Sequence, residues 1–352
     1  MLHLDIIILV CDYFDDSRNF YLSKYIYHNI KENEKNLYWK QKYNFFFKDK
    51  KYLILEGNYN WKKEYIRVEK MNNWSEFNNV EELSLSFGDI DSVPLLVNRE
   101  QNPRAYPLPK EIGNLNNLQI LFFSSNKLSK LPKEIGKLCN LRELYLSYNE
   151  IFEIPKEICY LNNLRKLYFE SNKIKKIPKE ICNLVNLQTL SLEYNEIEEV
   201  PEEIGNLNNL QGLYLGYNKI SRLPISLGNL SNLQQLHLYD NQLISIPKEI
   251  YKLYNLRRLY VDNNQLSKIS KNIGHLNNLQ ILYLNDNQIK KIPKEIGNLI
   301  NLEKIYLENN LIEDVPKEIG NLSNLRVLFL NNNLISKLPD EIYNLKNIEH
   351  YL

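Results

Sequence analysis

An asparagine recurs every 23 residues from position 126 to position 333 without a change of register. Apolar residues precede it by eight, five and three positions, and another follows two positions later, as Leu187, Leu190, Leu192 and Ile197 do around Asn195. A unit this short cannot bury its apolar side alone, so neighbouring units must stack to form a continuous core. The period therefore predicts a solenoid rather than a single globular core.

Each repeat predicts its own local structure. The alternating leucines indicate a short strand with one buried side, so the residue between them, such as Tyr145, points away from the core. The asparagine is short and both donates and accepts, which suits it to pair with backbone groups where the chain leaves the strand. In the second half, as in "IPKEIGNLNNL", proline sets φ at the start of the return path, and we expect glycine to permit a tight bend. The units should therefore share an asparagine ladder.

The pattern LxxLxLxxNxL resembles that of the leucine-rich repeat family, and the IPxEIGxLxxL half is similar to intracellular members of the Ras-signalling and Scribble type and their plant relatives. The resemblance implies a non-catalytic binding scaffold. It also implies an α/β solenoid, a curved horseshoe with a parallel sheet on its concave side.

We predict two domains. Residues 80–352 form the repeat domain of about eleven repeats, with a degenerate first unit at Val80, an insert at residues 91–107 and a truncated last strand in "NIEHYL". Residues 1–79 lack the period, are rich in aromatic and basic residues and have helical spacing. We expect a small α-helical module there.

The stretch Leu2–Phe14 is similar to the opening helix of an F-box, whose pattern reads roughly LPxDILxxIxxYL. The resemblance implies that this segment binds a Skp-type adaptor of a cullin ubiquitin ligase. The residues that would supply adaptor contacts and core are Leu2, Ile6, Ile7, Val10 and Phe14. The alternative is that residues 1–79 are a helical cap that shields the first repeat.

Charge and cysteine usage narrow the classes of partner and compartment. The formal net charge of +1 gives no overall field toward nucleic acid or anionic lipid. The four cysteines form no CxxC pair, which argues against a disulfide framework or a zinc site and favours a reducing compartment. The apolar run near the N-terminus is too short for a signal peptide or a membrane span. We therefore predict a cytoplasmic protein without a membrane span.

No enzyme signature is present. The five histidines form no HExxH motif, and neither GxxxxGK[ST] nor GxSxG occurs. We predict that the protein is not an enzyme and uses no metal or cofactor.

The residue between the two strand leucines is aromatic in eight of eleven repeats. Such a column either stacks to support the sheet or supplies stiff amphipathic contact area for a partner. We predict that it is a partner-binding surface formed by Phe122, Tyr145, Tyr168, Tyr214, His237, Tyr260, Tyr283, Tyr306 and Phe329.

The two positions before each ladder asparagine carry acids but no lysine or arginine, whereas the opposite edge of the strands is mixed to basic. The acids assigned to the binding surface are Glu170, Glu193, Asp262 and Asp286. An acidic border repels phosphates, so it disfavours nucleic acid as a partner and favours a protein or peptide.

These observations favour an F-box-type substrate receptor that recruits a protein partner to a cullin ubiquitin ligase through its concave repeat face. The alternative is an intracellular signalling scaffold that binds a GTPase, kinase or phosphatase and has no ligase link.

Overall fold

A computed structural model of the chain describes residues 108, 110–345 and 348, together with the backbone of three further strands at residues 52–54, 82–84 and 349–351. The chain divides into two compact units, Met1–Leu167 and Tyr168–Leu352. The described strands, β1 to β13 in chain order, are Tyr52–Ile54, Glu82–Ser84, Ile120–Phe122, Glu143–Tyr145, Lys166–Tyr168, Thr189–Ser191, Gly212–Tyr214, Gln235–His237, Arg258–Tyr260, Ile281–Tyr283, Lys304–Tyr306, Val327–Phe329 and Glu349–Tyr351.

The strands pair in parallel and in chain order within each unit. In the second unit β6 to β13 pair with one-to-one register, so that Leu213 lies opposite Leu236 and Leu236 opposite Leu259. In the first unit β1 to β4 pair in the same way. Strand β1 lies inside the first 79 residues, so repeat-type pairing extends upstream of Val80. The remainder of residues 1–79 and the insert at residues 91–107 lie outside the described residues, and the predicted domain boundary stays a prediction.

The return half of each repeat contains a five-residue 3-10 helix. From Lys133 onward each helix follows a proline, except that one follows Ser270, whose hydroxyl accepts a hydrogen bond from the Asn272 amide at 3.2 Å. Pro132 has φ of −68°, as its ring requires, and its carbonyl accepts from the Ile135 amide at 3.1 Å. The helices are Lys110–Asn114, Lys133–Lys137, Lys156–Tyr160, Lys179–Asn183, Glu202–Asn206, Ile225–Asn229, Lys248–Lys252, Lys271–His275, Lys294–Asn298, Lys317–Asn321 and Asp340–Asn344.

The core consists of rows of aliphatic side chains from successive repeats. Leu213, Leu236 and Leu259, at the strand centres, are almost completely buried, and so are isoleucines of the return helices such as Ile250. Complete burial of one such side chain contributes about 1.5 to 3 kcal/mol. Burial of these apolar side chains therefore supplies most of the free energy that holds the repeats together.

The predicted asparagine ladder is confirmed. Asn218 Oδ1 accepts from the Ile197 amide at 2.9 Å, and its Nδ2 donates to the carbonyls of Leu192 at 2.9 Å and of Leu215 and Gly216 at 3.1 Å. The residue before each ladder asparagine adopts positive φ, as Asp240 does at 50°. Asparagine and aspartate tolerate this conformation best, and they occupy it in the five units from Asp240 to Asn332.

The expected role of the repeat glycine is wrong. Neither Gly228 nor Gly297 has positive φ, so no tight bend requires them. A Cβ atom at Gly297 would instead lie 2.4 Å from the carbonyl oxygen of Glu318 in the next repeat. Glycine at this position thus allows neighbouring return segments to approach closely.

Candidate interaction surface

Within each unit, the outward-facing residues at the ends of the strands form a line of rings, and we call the residues at this repeat position the aromatic column. In the second unit five successive ring contacts run from Tyr214 to Phe329, with centroids 4.0 to 5.2 Å apart. The tightest is Tyr283 on Tyr306, at 4.0 Å with planes 11° apart. In the first unit Phe122 stacks on Tyr145 at 4.3 Å. These rings are half-buried while the leucines beside them are buried, so the predicted outward orientation is confirmed.

A serine interrupts the aromatic column in the second unit. Ser191 stands between Tyr168 and Tyr214 in the repeat order, is fully buried, and donates its hydroxyl to Glu170 Oε1 at 2.7 Å. The ring of Tyr214 lies over Gly212, where an added Cβ would come 2.7 Å from the ring. The Tyr214 ring thus occupies space that a side chain at position 212 would fill.

Burial raises the pKa of the Tyr214 and Tyr260 hydroxyls. Burial and a hydrogen bond with Tyr306 raise the pKa of Tyr283 as well. These three hydroxyls therefore remain protonated at neutral pH, and their residues present neutral rings and hydroxyl groups rather than phenolate charge.

The four acids assigned to the surface differ in what they contact. Glu193 Oε1 accepts from the Tyr239 hydroxyl at 3.0 Å and lies 3.3 Å from His237 Nδ1. Asp286 accepts from the amides of Asn285 at 2.8 Å and Asn309 at 2.7 Å. Asp262 Oδ1, by contrast, is buried without a hydrogen-bond partner among the described residues.

Electrostatics separate Asp262 from an ordinary surface carboxylate. Burial, and then the charges of Asp240 and Asp286, raise its pKa to about 6. Burial and the charge of Asp286 likewise raise the pKa of Glu308. The charge of His237 lowers the pKa of Asp262, but it does not outweigh burial and the two acidic neighbours.

A second row of rings was missed by the sequence analysis. Tyr194 stacks on Tyr217 at 4.1 Å, and Tyr217 contacts the edge of Tyr239 at 5.4 Å. The Tyr239 ring covers Gly216, where an added Cβ would lie 2.6 Å from the ring. We call these three residues the tyrosine cluster. The signal was present as tyrosine at the positions just before the ladder asparagine, which were read only for charge.

The comparisons with known proteins agree with this geometry. Residues 153–268 match the family described as leucine-rich repeat region. Residues 254–312 and 300–350, and the shorter segments 117–138 and 140–161, match two further leucine-rich repeat families. A leucine-rich repeat protein of Leptospira interrogans is 34% identical, with 79% of each chain covered and a TM-score of 0.63. The chain belongs to the leucine-rich repeat family.

Other solved leucine-rich repeat structures are similar over part of their length. The plant peptide hormone receptor RGFR1, in complex with RGF2, is 27% identical with a TM-score of 0.63, covering 85% of this chain and 50% of its own. The Arabidopsis receptor kinase HAESA, in complex with the peptide hormone IDA and the co-receptor SERK1, is 28% identical with a TM-score of 0.62, covering 70% and 43%. The chain thus spans half or less of these receptors. No curated protein matches it significantly.

The F-box-like segment falls outside what the structure describes. Leu2, Ile6, Ile7, Val10 and Phe14 all lie among the undescribed residues, and their role as adaptor contacts stays a prediction. Within the described ranges, no helix combines the length and apolar character needed to cross a bilayer.

Among the described residues of this leucine-rich repeat array, few groups have a reactive arrangement. His237 Nε2 has no hydrogen-bond partner among the described side chains, so the Glu193–His237 pair has no nucleophile in hydrogen-bond contact to activate. Burial, followed by the charges of Glu203 and Glu180, raises the pKa of the Cys182 thiol to about 12, which keeps it protonated and unreactive. In the part of the chain described, no cluster of His, Cys, Asp and Glu suits a metal ion.

Proposed function

We propose that this leucine-rich repeat protein is a non-catalytic interaction protein that binds a protein or peptide partner on the aromatic column and its acidic border. The observation that carries the proposal is the run of five ring contacts from Tyr214 to Phe329, whose rings stay half-exposed after stacking. Stacking alone would serve the sheet. However, a continuous aromatic surface that remains open to solvent has the composition typical of anchor residues at protein interfaces.

Two relatives support a peptide as the ligand class. RGFR1 was solved with RGF2, and HAESA with the peptide hormone IDA. Both are leucine-rich repeat structures of at least 27% identity to this chain. An extended peptide also suits a sheet face on which the side chains change from one strand to the next.

A selection of displayed random peptides on the full chain tests this function. Binders are selected on the wild type and measured again on the variant Tyr260→Ala/Tyr283→Ala. Loss of two central anchors should weaken binding by at least about 2 kcal/mol. Each lost ring contact costs the sheet only roughly 0.2 to 1 kcal/mol, so the variant should remain folded.

The matched control removes two tyrosines elsewhere. Tyr254 and Tyr343 are 59% and 70% exposed on the return side, so Tyr254→Ala/Tyr343→Ala should leave affinity unchanged. If binders respond equally to both double variants, or to neither, the aromatic column is not the binding surface.

We extend the proposal to a receptor in a ubiquitin ligase of the cullin type, in the cytoplasm, with the repeats holding the substrate. Support comes from the F-box-like pattern in Leu2–Phe14 and from the order of a short N-terminal segment before a long repeat array. The cysteine usage supports the reducing compartment.

The ligase link is tested with the full chain and a purified Skp-type adaptor. Binding should be measurable by calorimetry and abolished by Ile6→Asp/Val10→Asp, while binding of the selected peptides stays unchanged. A wild-type chain without adaptor affinity would refute the ligase link. The scaffold alternative, with a GTPase, kinase or phosphatase as partner, would then stand.

A further inference from the structure

Three consecutive repeats place a hydrogen-bond acceptor without a donor beside the aromatic column. Asp262 Oδ1, Asn285 Oδ1 and Glu308 Oε2 are each buried and have no hydrogen-bond partner among the described residues. The three side chains occupy the same position, two residues before the ladder asparagines Asn264, Asn287 and Asn310. We call these three atoms the acceptor row.

The ladder holds the backbone of the row in place. The carbonyls of Asp262, Asn285 and Glu308 accept from the ladder amide groups at 3.0, 3.1 and 3.2 Å. The same carbonyls accept from backbone amides of the preceding repeat at 3.1, 3.1 and 3.0 Å. Since neighbouring strands are about 4.8 Å apart, the row is roughly 10 Å long.

Three other acids of the border in this unit accept hydrogen bonds from side chains of the array. Glu170 accepts from Ser191, Glu193 accepts from Tyr239, and both oxygens of Asp286 accept from amide groups. A buried acceptor without a donor destabilises the folded state, and a bound donor would remove that cost. The three consecutive exceptions therefore indicate a position that a ligand completes when these side chains rotate and expose their buried oxygens.

The atoms of the row specify the chemistry of that ligand. The Asn285 amide nitrogen is held by Asp286, so Asn285 offers its oxygen, and the flanking groups are carboxylates. The ligand must bring several donors and positive charge. Burial raises the pKa of both Asp262 and Glu308, and this effect outweighs the lowering by backbone amides at both residues and by the charge of His237 at Asp262.

The neighbouring rings favour one cation in particular. Tyr260, Tyr283 and Tyr306 stack in the same three repeats, at 4.7 and 4.0 Å. A guanidinium is planar, carries five donors, and lies favourably on aromatic faces. The chain's own cations Arg258 and Lys304 belong to the opposite edge, two residues before Tyr260 and Tyr306, and no salt bridge found in the described residues joins them to the row.

We propose that the acceptor row and the three tyrosines beside it bind arginine side chains of an extended peptide, a conclusion that rests on the peptide-binding function proposed above. Residues i and i+2 of an extended peptide lie on one side, about 7 Å apart. A row about 10 Å long therefore accommodates two arginines separated by one residue.

The probe is a blocked, fluorescein-labelled peptide, acetyl-Gly-Leu-Arg-Leu-Arg-Leu-Gly-amide, whose affinity for the full chain is measured by anisotropy. The comparison peptide carries citrulline, which keeps the shape of arginine without its charge. We expect the arginine peptide to bind at least about tenfold more tightly. Equal affinity for the two peptides, or no binding of the arginine peptide, overturns the proposal.

The variant Asp262→Asn/Glu308→Gln removes the charge and keeps the side-chain shapes. It should weaken the arginine peptide by about tenfold or more and leave the citrulline peptide within about twofold. Glu313→Gln, an exposed carboxylate outside the row, is the matched control and should change neither. If the variant loses affinity for both peptides to the same extent, the acceptor row does not recognise the guanidinium group.

Failure of this inference is distinguishable from failure of the proposed function. If displayed peptides selected on the wild type depend on Tyr260 and Tyr283 but not on Asp262 and Glu308, the column binds peptides and the arginine site is refuted. If they depend on neither pair, both conclusions fall.

Discussion

Glu193 Oε1 accepts a hydrogen bond from the Tyr239 hydroxyl at 3.0 Å, although the two residues are 46 positions apart in the chain. Tyr239 reaches this carboxylate by lying across Gly216 of the intervening repeat, which has no side chain to obstruct the ring. Residues of three successive repeats are thus needed to provide this one acceptor with a donor.

The first prediction concerns the energy of this contact. Tyr239→Phe removes only the donor and should lower the free energy of unfolding by about 1 kcal/mol. In a double-mutant cycle with Glu193→Ala, the two changes should show an interaction of about 0.5 to 1.5 kcal/mol by equilibrium denaturation. Strict additivity would mean that the hydrogen bond contributes nothing in solution.

The second prediction tests the ladder. Asn218→Ala leaves the buried Ile197 amide without its partner and removes one of the two side-chain donors to the Leu192 carbonyl, which keeps Asn195, and should cost about 1 to 3 kcal/mol. The control Asn209→Ala removes one exposed hydrogen bond, to Val185, and should cost at most about 1 kcal/mol. Similar shifts in the denaturation midpoint for both variants would contradict the assigned register.

The third prediction concerns close approach of the return segments. Gly297→Ala places a Cβ 2.4 Å from the backbone oxygen of Glu318, so the two segments must separate, at about 1 to 3 kcal/mol. Gly212→Ala is the matched control, because its Cβ meets only the far end of the Tyr214 ring, which can rotate away. Thermal denaturation should rank Gly297→Ala well below Gly212→Ala.

The fourth prediction is a pH dependence. Because the pKa of Asp262 rises from 3.8 to about 6 on folding, the folded state binds this proton more tightly than the unfolded state. The group therefore destabilises the fold increasingly as pH rises from about 4 to about 6, and fully above that range.

Asp262→Asn lacks this penalty and should be more stable than the wild type by roughly 1 kcal/mol at pH 7, a value reduced for the partial exposure of the group. The difference should shrink as pH falls toward 4. Urea denaturation at several pH values measures it, with Glu313→Gln as the control carboxylate. A difference that stays constant with pH would show that Asp262 does not titrate as described.

The repeat period predicted the core, the short parallel strands and the ladder. Each unit contacts mainly its neighbours, so the same apolar spacing recreates the same environment in every unit. The positions of Leu213 and Asn218 therefore follow from local pattern alone. The outward direction of Tyr145 follows for the same reason, since alternation in a strand sets which side a residue faces.

The sequence by itself determined the fold family and which strand residues face the core or the solvent, because both depend on spacing within one repeat. Only the tertiary structure decided that Glu193 is satisfied while Asp262 is not, because that depends on side chains one and two repeats away. It also decided that Gly297 serves close approach rather than a bend. Residues at the same repeat position look equivalent in the sequence. Hydrogen bonds between repeats nevertheless give their side chains different chemical environments.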